Sequence, residues 1–457
     1  MNVHFIAIGG SVMHNLALCL RLKNYNVSGS DDEIFEPAAS NLAQHGLLPE
    51  KTGWFPEKIT SSLDAVILGM HAKDDNPELL KAKELGIPIY SFPAYVYEQI
   101  KNKKRVVVAG SHGKTTITSM ILHALKHLGK DFDYLVGSRI QDFDMMVSLT
   151  DKAPIAVLEG DEYLSSSQEK ISKFLFYKPH VAVISGIAWD HVNVFPTFEE
   201  YVDQFRQFIA TIEKGGALIY NAEDAIVKRL ADEADKGLKK IPYSTPRYEI
   251  ENNKTTLHFD KVEYPLKIFG RHNLQNLEAA RLACNQVGIP NELFIKAMQP
   301  FTGAAKRLET VFKNDSTALF KDFAHSPSKL KATISAVKEQ FPERKLAACM
   351  ELHTYSSLNP TFLQEYKGCM DEADVPIVYY NQHTLQLKRL PELSPEQVKT
   401  AFQNEHLLIF TERDKLVEYL QSLDWKNVNL LMMSSGNFDG LDWEKITPKS
   451  PGGDLNT

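Results

Sequence analysis

Short apolar runs rich in valine, isoleucine and leucine alternate along most of the chain with stretches whose apolar positions recur at helical spacing. That alternation predicts parallel strands joined by crossover helices, an α/β fold. The first unit reads as a strand over residues 3–8, a turn at Gly9-Gly10, a helix over about 12–22 and a strand over 25–29 that closes at Ser30-Asp31-Asp32. Strands over 65–68 and 87–90 extend its sheet. A basic stretch at 101–105 introduces a second unit, with a strand over 106–109, a loop at Gly110, and a helix that ends near Gly129. Strands over 155–158 and 181–184 follow. Between 243 and 268 the pattern becomes short and alternating, which predicts a few antiparallel strands before a helix over 273–287. Beyond a boundary near Gly303, strands over 319–323, 346–350, 377–380 and 430–434 alternate with helices such as 326–340.

The length of 457 residues fits three domains, at roughly 150 residues each. A net charge of −7 argues against a surface built for polyanions, so nucleic acid is not expected as a partner. The four cysteines, Cys19, Cys284, Cys349 and Cys369, form no Cys-x-x-Cys pair, which points away from zinc clusters and a disulfide framework. The amino terminus lacks a basic leader, and no apolar run approaches the ~20 residues that span a bilayer, so a soluble cytoplasmic protein without a membrane partner is expected. From Thr447 onward the chain reads as a frayed polar tail.

The strongest chemical signal is Gly110-Ser111-His112-Gly113-Lys114-Thr115-Thr116, between an apolar strand and a long helix. Such a loop aims backbone N–H groups and a positive helix end at phosphate oxygens. Lys114 would neutralise the β- and γ-phosphates, and the Thr115 hydroxyl would reach Mg²⁺. Only two residues separate its glycines, where the general P-loop has four. In the first unit, Ala7 and Val12 stand where a dinucleotide fingerprint wants its first and last glycines, which disfavours a nicotinamide cofactor. Gly9-Gly10 is then either a structural turn or a pyrophosphate loop with Asp31 or Asp32 near a ribose.

Two acidic groups lie past the carboxyl ends of predicted strands: Glu159-Gly160-Asp161-Glu162, and Asp190-His191. Ligand groups in α/β sheets gather there, so Glu159 and His191 are candidates for one hard metal ion. Gly270-Arg271-His272-Asn273-Leu274-Gln275-Asn276 opens a helix that Asn273 could cap. Asparagine amides also match the donor and acceptor edges of adenine. Lys306-Arg307-Leu308-Glu309 and Lys321-Asp322-Phe323-Ala324-His325-Ser326-Pro327 complete the set.

In this order, these segments resemble the Mur ligase family, ATP-dependent enzymes that form the amide bonds of the peptidoglycan stem peptide. The loop at 110–116 is similar to the family's Gly-Thr-His-Gly-Lys-Thr-Thr, residues 270–273 to its Gly-Arg-His-Asn, and residues 322–327 to its Asp-Tyr/Phe-Gly/Ala-His-x-Pro. The resemblance implies three domains: a Rossmann-like UDP-sugar domain at 1–100, a P-loop ATPase-like domain at 101–302, and a Rossmann-like domain at 303–457 that receives the amine. It implies ATP and Mg²⁺ as cofactors, held by Gly110 to Thr116 and by His272, Asn273, Asn276, Arg307 and Asp322. The metal falls to Thr115, Glu159 and His191, and catalysis to Lys114, His191 and Arg307. Substrates, UDP-N-acetylmuramate and an amine, would meet Gly9, Gly10, Ser11, Asp31, His71, His325, His353 and Tyr355. The implied reaction passes through an acyl phosphate.

Within the family, residues 30–37, Glu159 to Tyr163, and residues 172–179 most resemble the branch that adds the tripeptide L-alanyl-γ-D-glutamyl-meso-diaminopimelate. Residues 351–356, Glu-Leu-His-Thr-Tyr-Ser, resemble the L-alanine branch instead, but that branch carries arginines at the positions of Thr354 and Ser357 and a tyrosine at Phe323. Gly160, Gly186, Ala188-Trp189 and Ser326 also depart from the family pattern. The expectation is therefore a tripeptide ligase, with an L-alanine ligase as the alternative and a non-catalytic sugar-nucleotide-binding regulator as the alternative from another class.

Overall fold

The computed structural model describes residues 1–70, 72–166, 169–192, 194–304, 307–447 and 454–455. It is an α/β protein with three sheets dominated by parallel pairing, as expected, and one antiparallel sheet. The N-terminal sheet runs Asn26–Ser30, Asn2–Ile6, Ala65–Leu68, Ile89–Ser91, all parallel. The central sheet has the order Lys239–Tyr243, Ala217–Asn221, Val181–Ile184, Lys104–Ala109, Ile155–Glu159, Phe132–Leu135, Val147–Ser148. Its last pair alone is antiparallel. Strands Tyr248–Glu251, Lys254–Phe259 and Val262–Leu266 form the expected antiparallel meander. The C-terminal sheet runs Leu408–Phe410, Val375–Tyr379, Lys345–Glu351, Val428–Met433, Ala318–Asp322, Glu309–Lys313, Asp454–Leu455. Of the expected polar tail, Asp454–Leu455 is described and pairs with Glu309–Lys313.

By contact the chain falls into two units. The first comprises residues 1–187, 197–244 and 279–297, the second 188–196, 245–278 and 298–457. In the first unit the innermost strand Lys104–Ala109 is covered on both faces, which is why it reads as an unbroken run of Val106, Val107 and Val108, all fully buried. Helix Ser11–Leu22 of the N-terminal sheet meets the edge of the central sheet. Asn15 accepts from the Met146 amide at 2.9 Å, and Cys19 Sγ from the Leu149 amide at 3.1 Å. In the second unit, Leu330, Ile334 and Val337 of helix Pro327–Gln340 pack on Leu346, Ala348 and Met350 of the sheet. Among the described residues, no helix is long and apolar enough to cross a membrane.

Ala7 takes a left-handed backbone, φ 67°, at the position where the dinucleotide fingerprint has glycine. Its methyl is accommodated because residue 69 is glycine: a Cβ there would sit 2.9 Å from Ala7 Cβ. Left-handed alanine is strained by roughly 1–2 kcal/mol. Glycine's extra unfolded-state freedom costs about 0.4–1 kcal/mol. Ala7→Gly is therefore expected to leave the thermal midpoint level or raised. A clear fall in that midpoint would remove the strain argument.

Candidate functional site

In the first unit, the phosphate-loop residues sit where the central strands end. Gly110, at φ 133°, could carry no side chain: a Cβ would lie 2.2 Å from Ser185 Oγ. Gly113, at φ 79°, is the N-cap of helix Lys114–His127 and brings no side chain to its amides. The loop is pinned by Ser111 N donating to the Gly186 carbonyl at 2.9 Å, and by Ser185 Oγ donating to the His112 carbonyl. At Gly186, a Cβ would lie 2.4 Å from His112 Cε1, so this departure from the family pattern makes room for that imidazole. Thr116 is buried.

Lys114 Nζ donates to the Gly110 carbonyl and to Glu162 Oε2, each at 2.6 Å. Burial alone would lower the ammonium's pKa, but Glu162 and Asp161 outweigh it and hold it above the ordinary lysine value. The pair belongs to a buried chain. Tyr201 donates to Glu162 Oε1 at 2.9 Å and shares a hydrogen bond with Ser111 Oγ at 2.8 Å. Asp161 is ion-paired to Lys173 at 2.7 Å; burial opposes its charge, but Lys173 and Lys114 draw its pKa down to about 2. Thr115 Oγ1 donates to Glu159 Oε1 at 2.8 Å, and Gly137 N to Oε2 at 3.0 Å.

The structure thus brings Lys114, Thr115 and Glu159 together, and adds Glu162 and Tyr201, which sequence reasoning missed. Glu162 was visible as an acidic neighbour of Glu159. Nothing local marked Tyr201, which follows the capping box Thr197/Glu200 at the start of helix Phe198–Ala210. Among the described residues, no group of three His, Cys, Asp or Glu side chains is assembled around a metal position. A nucleotide-bound Mg²⁺ needs only one or two protein oxygens besides phosphates and water. The hydroxyl of Thr115 and the carboxylate of Glu159, joined by their own hydrogen bond, fit that donor set.

At the N-terminal sheet, Gly9 N donates to Asp31 Oδ2 at 2.7 Å, so Asp31 fixes the turn that opens helix Ser11–Leu22. That helix has Gly10 as N-cap and no acidic residue in its first turn, which suits an anion. Ser11 starts it. His71 lies outside the described residues.

In the second unit, His191 sits in a tight turn at φ 54°. Its carbonyl accepts from Val194 N at 2.8 Å and Phe195 N at 2.9 Å. Such a backbone costs on the order of 1–3 kcal/mol in a non-glycine residue. Asp190 Oδ1 accepts from His191 N at 2.8 Å. Burial opposes the charge on Asp190, but Lys329, His191 and His325 outweigh it and keep its carboxyl below the usual range.

His325 Nδ1 donates to the Phe323 carbonyl at 2.9 Å. Burial, with Lys329 close by, pushes its pKa down to about 4. The unfolded chain binds this proton at 6.5. His325 therefore supports the fold above about pH 6.5 and removes stability as the pH falls from there towards 4. His325→Gln should flatten unfolding midpoints across that window. An unchanged pH profile would contradict this.

Asp322, also buried, accepts from Leu308 N at 2.5 Å and Ala324 N at 2.6 Å, which ties the segment bearing Arg307 to strand Ala318–Asp322. The Arg307 guanidinium lies 4.5 Å from the centre of the Phe323 ring. His353 Nδ1 is 3.7 Å from Glu351 Oε1, and the exposed Tyr355 ring carries Lys388 Nζ at 4.5 Å. These residues gather along one edge, because Ala318–Asp322, Val428–Met433 and Lys345–Glu351 are parallel neighbours. The helix expected to be capped by Asn273 begins at Arg271 instead. Asn273 lies in its first turn, buried, and donates Nδ2 to the Phe269 carbonyl at 3.0 Å; Asn276 is also buried.

Comparison with known proteins adds an independent line. Residues 2–104 match the family model described as Mur ligase family, catalytic domain, and residues 108–284 the one described as Mur ligase middle domain. The UDP-N-acetylmuramate–L-alanine ligase of Sulfurihydrogenibium sp. is 30% identical over 383 residues, 82% of each chain. The UDP-N-acetylmuramate–L-alanyl-γ-D-glutamyl-meso-2,6-diaminoheptandioate ligase of Haemophilus influenzae is 25% identical over 465 residues, 98% of this chain and 99% of that one. The solved murein peptide ligase of Psychrobacter arcticus has the same fold, with a TM-score of 0.63 at 22% identity over 98% of each chain. With both family models matched in order and a relative 30% identical over 82% of each chain, the chain belongs to the Mur ligase family of ATP-dependent ligases.

Proposed function

We propose that this protein joins the tripeptide L-alanyl-γ-D-glutamyl-meso-diaminopimelate to UDP-N-acetylmuramate at the expense of ATP, in the cytoplasm, with residues 1–100, 101–302 and 303–457 handling sugar nucleotide, ATP and amine. The observation that carries the amine assignment is the closed pair Thr354 and Ser357. Thr354 N and Oγ1 both donate to Ser357 Oγ at 3.0 Å, Ser357 N donates back to Thr354 Oγ1 at 3.0 Å, and Ser357 is fully buried. Two positions that carry guanidinium groups in the L-alanine branch are thus sealed against each other here. A peptide spreads its recognition over several residues and does not need an arginine fork on the α-carboxylate beside its amine.

In the first step, the sugar's carboxylate oxygen attacks the γ-phosphorus of ATP and ADP leaves. In the second, the amine attacks the acyl phosphate carbonyl, loses a proton, and expels orthophosphate. Lys114, held charged, stabilises the phosphoryl oxygens, and the open amides of helix Lys114–His127 bind them. Thr115, Glu159 and His191 would hold Mg²⁺, which screens phosphate charge when bound. Arg307 and Asp322 would contact the γ-phosphate or the ribose. His272, Asn273 and Asn276 serve the adenine.

A second reading, L-alanine ligase, is favoured by the higher identity of the alanine-adding relative. Competition of tripeptide against L-alanine in one reaction decides between them. A buried charge-assisted arginine contact contributes about 1.5–3 kcal/mol. Lacking even one should weaken alanine use ~10- to 100-fold. A larger kcat/KM for L-alanine would overturn the tripeptide assignment.

A further inference from the structure

Within the second unit, the carboxyl ends of the C-terminal strands carry a further pair of charges beyond Glu351 and His353. Tyr379 pairs in register with Glu351 on one side and Phe410 on the other, so the segments that leave these strands meet at one edge. Ligand groups in sheets of this kind collect there. The buried Tyr379 donates its hydroxyl to Asp439 Oδ2 at 2.6 Å, and Asn381 Nδ2 donates to the same oxygen. Arg413 stands beside them. Its Nη1 donates to the Asp439 carbonyl at 3.0 Å, while Nε and Nη2 reach the exposed carboxylate of Asp414 at 3.1 and 3.0 Å. Among the described residues, no ion pair joins this guanidinium to the Asp439 carboxylate, so the two opposite charges lie close without cancelling.

Neither residue is placed by the element that carries it. The chain is left-handed at Phe438, φ 51°, Asp439, φ 53°, and Gly440, φ 71°. A bulky residue such as phenylalanine rarely adopts that backbone, which persists only where the surroundings over-determine it. Here they do. Phe438 is buried with its ring centre 6.1 Å from that of Tyr379, and its N–H donates to Glu351 Oε2 at 2.9 Å. Ser434 Oγ donates to the same oxygen, and Gly436 passes so near that a Cβ would lie 2.8 Å from it. Arg413 opens helix Arg413–Gln421, where the positive helix end disfavours a cation.

We propose that Asp439 and Arg413 form a subsite for the zwitterionic end of an amino-acid residue, Asp439 taking its ammonium and Arg413 its carboxylate. This rests on the reading of the acceptor as the tripeptide, and it names what recognises the end remote from the attacking amine. In meso-diaminopimelate the far carbon bears a free ammonium and a free carboxylate together. A carboxylate and a guanidinium fork held on one edge match that pattern.

The test uses the full chain with Arg413→Met and Asp439→Asn, asparagine being a residue that tolerates the left-handed backbone. Orthophosphate release is followed at saturating ATP and UDP-N-acetylmuramate with three acceptors: the tripeptide ending in meso-diaminopimelate, the same peptide ending in L-lysine, and the dipeptide L-alanyl-γ-D-glutamate. Lysine keeps the far ammonium and lacks the carboxylate beside it; the dipeptide lacks both. Arg413→Met is expected to raise KM roughly 10-fold for the diaminopimelate peptide and to leave the other two acceptors within about two-fold. Asp439→Asn is expected to raise KM roughly 10-fold for both tripeptides and to spare the dipeptide. In both variants kcat should hold, because the subsite is remote from the reacting amine. A merely structural role would weaken all three acceptors alike. That uniform loss, or no loss with the diaminopimelate peptide, overturns the proposal and leaves a peptide ligase in place. Failure of all three acceptors with the parent protein overturns the tripeptide reading and this proposal together.

Discussion

Lys114→Ala is expected to lower ligase turnover at least ~100-fold, because a fixed cation on a transferring phosphoryl group carries several kcal/mol of transition-state stabilisation. The geometry makes the effect specific. Lys114 is tethered at 2.6 Å to both Gly110 and Glu162, so its ammonium is aimed over the loop before any nucleotide arrives. Removing it leaves Glu162 buried with Tyr201 and without this cation, which adds a smaller stability loss. The variant should still fold, since helix Lys114–His127 is anchored by Ile117, Met120, Ile121 and Leu125, all fully buried. Initial rates with UDP-N-acetylmuramate, ATP and the tripeptide, beside a circular dichroism spectrum, check both parts. Turnover within a few-fold of the parent would refute the phosphate-loop assignment.

The largest expected loss of stability lies at Arg105. Its guanidinium is buried and serves five acceptors: the carbonyls of Tyr177 at 3.0 Å, Lys178 at 2.9 Å, Lys101 at 2.5 Å and Lys103 at 3.0 Å, and Glu213 at 2.7 Å. It therefore closes the start of the innermost central strand onto the 177–178 turn and onto Glu213. Arg105→Met would fill much of the volume and leave those acceptors unmet, at a cost of about 3–5 kcal/mol. Arg105→Lys should recover little, because one ammonium cannot reach a planar array of five acceptors. Thermal unfolding of the whole chain measures this. A midpoint equal to the parent's would contradict the assignment of Arg105 as a structural tie.

Arg105 also marks where the sequence misleads. It stands in the basic stretch at 101–105, ahead of the strand expected over 106–109, whereas the strand begins at Lys104 and takes it inside. Strand Phe132–Leu135 was hidden for a related reason: its apolar run is broken by Asp133, fully buried and paired with Lys103 at 2.5 Å, a partnership that no local pattern reveals. Lys239–Tyr243 contains Pro242 and two lysines, features that fit only an edge strand, and it is one. The inner strands were legible because burial on both faces leaves nothing but apolar residues to read. The candidate phosphate loop was legible as a glycine-bearing turn between strand and helix because its glycines, lysine and threonine are contiguous. Tyr201 was not, since its contacts with Ser111 and Glu162 arise where distant segments meet.

The same distinction governs the departures from the family pattern. At Gly160, a methyl would meet Val107 Cγ1 at 2.9 Å, so the small residue matches its surroundings and does not signal a lost function. Ala7 and Gly186 are likewise each matched by a neighbour, Gly69 and His112 respectively. None of these positions touches the pairing of Lys114 with Glu162 or of Thr115 with Glu159.

The central claim is that this site forms an amide through an activated carboxylate, and one measurement bears on it most directly. UDP-N-acetylmuramate, ATP, Mg²⁺ and the tripeptide are incubated with the protein, orthophosphate is followed, and the product is weighed by mass spectrometry. The account predicts orthophosphate release that requires both the sugar nucleotide and the peptide, equimolar with a product whose mass is their sum less one water. Binding of the sugar nucleotide with no product and no substrate-dependent orthophosphate would contradict it.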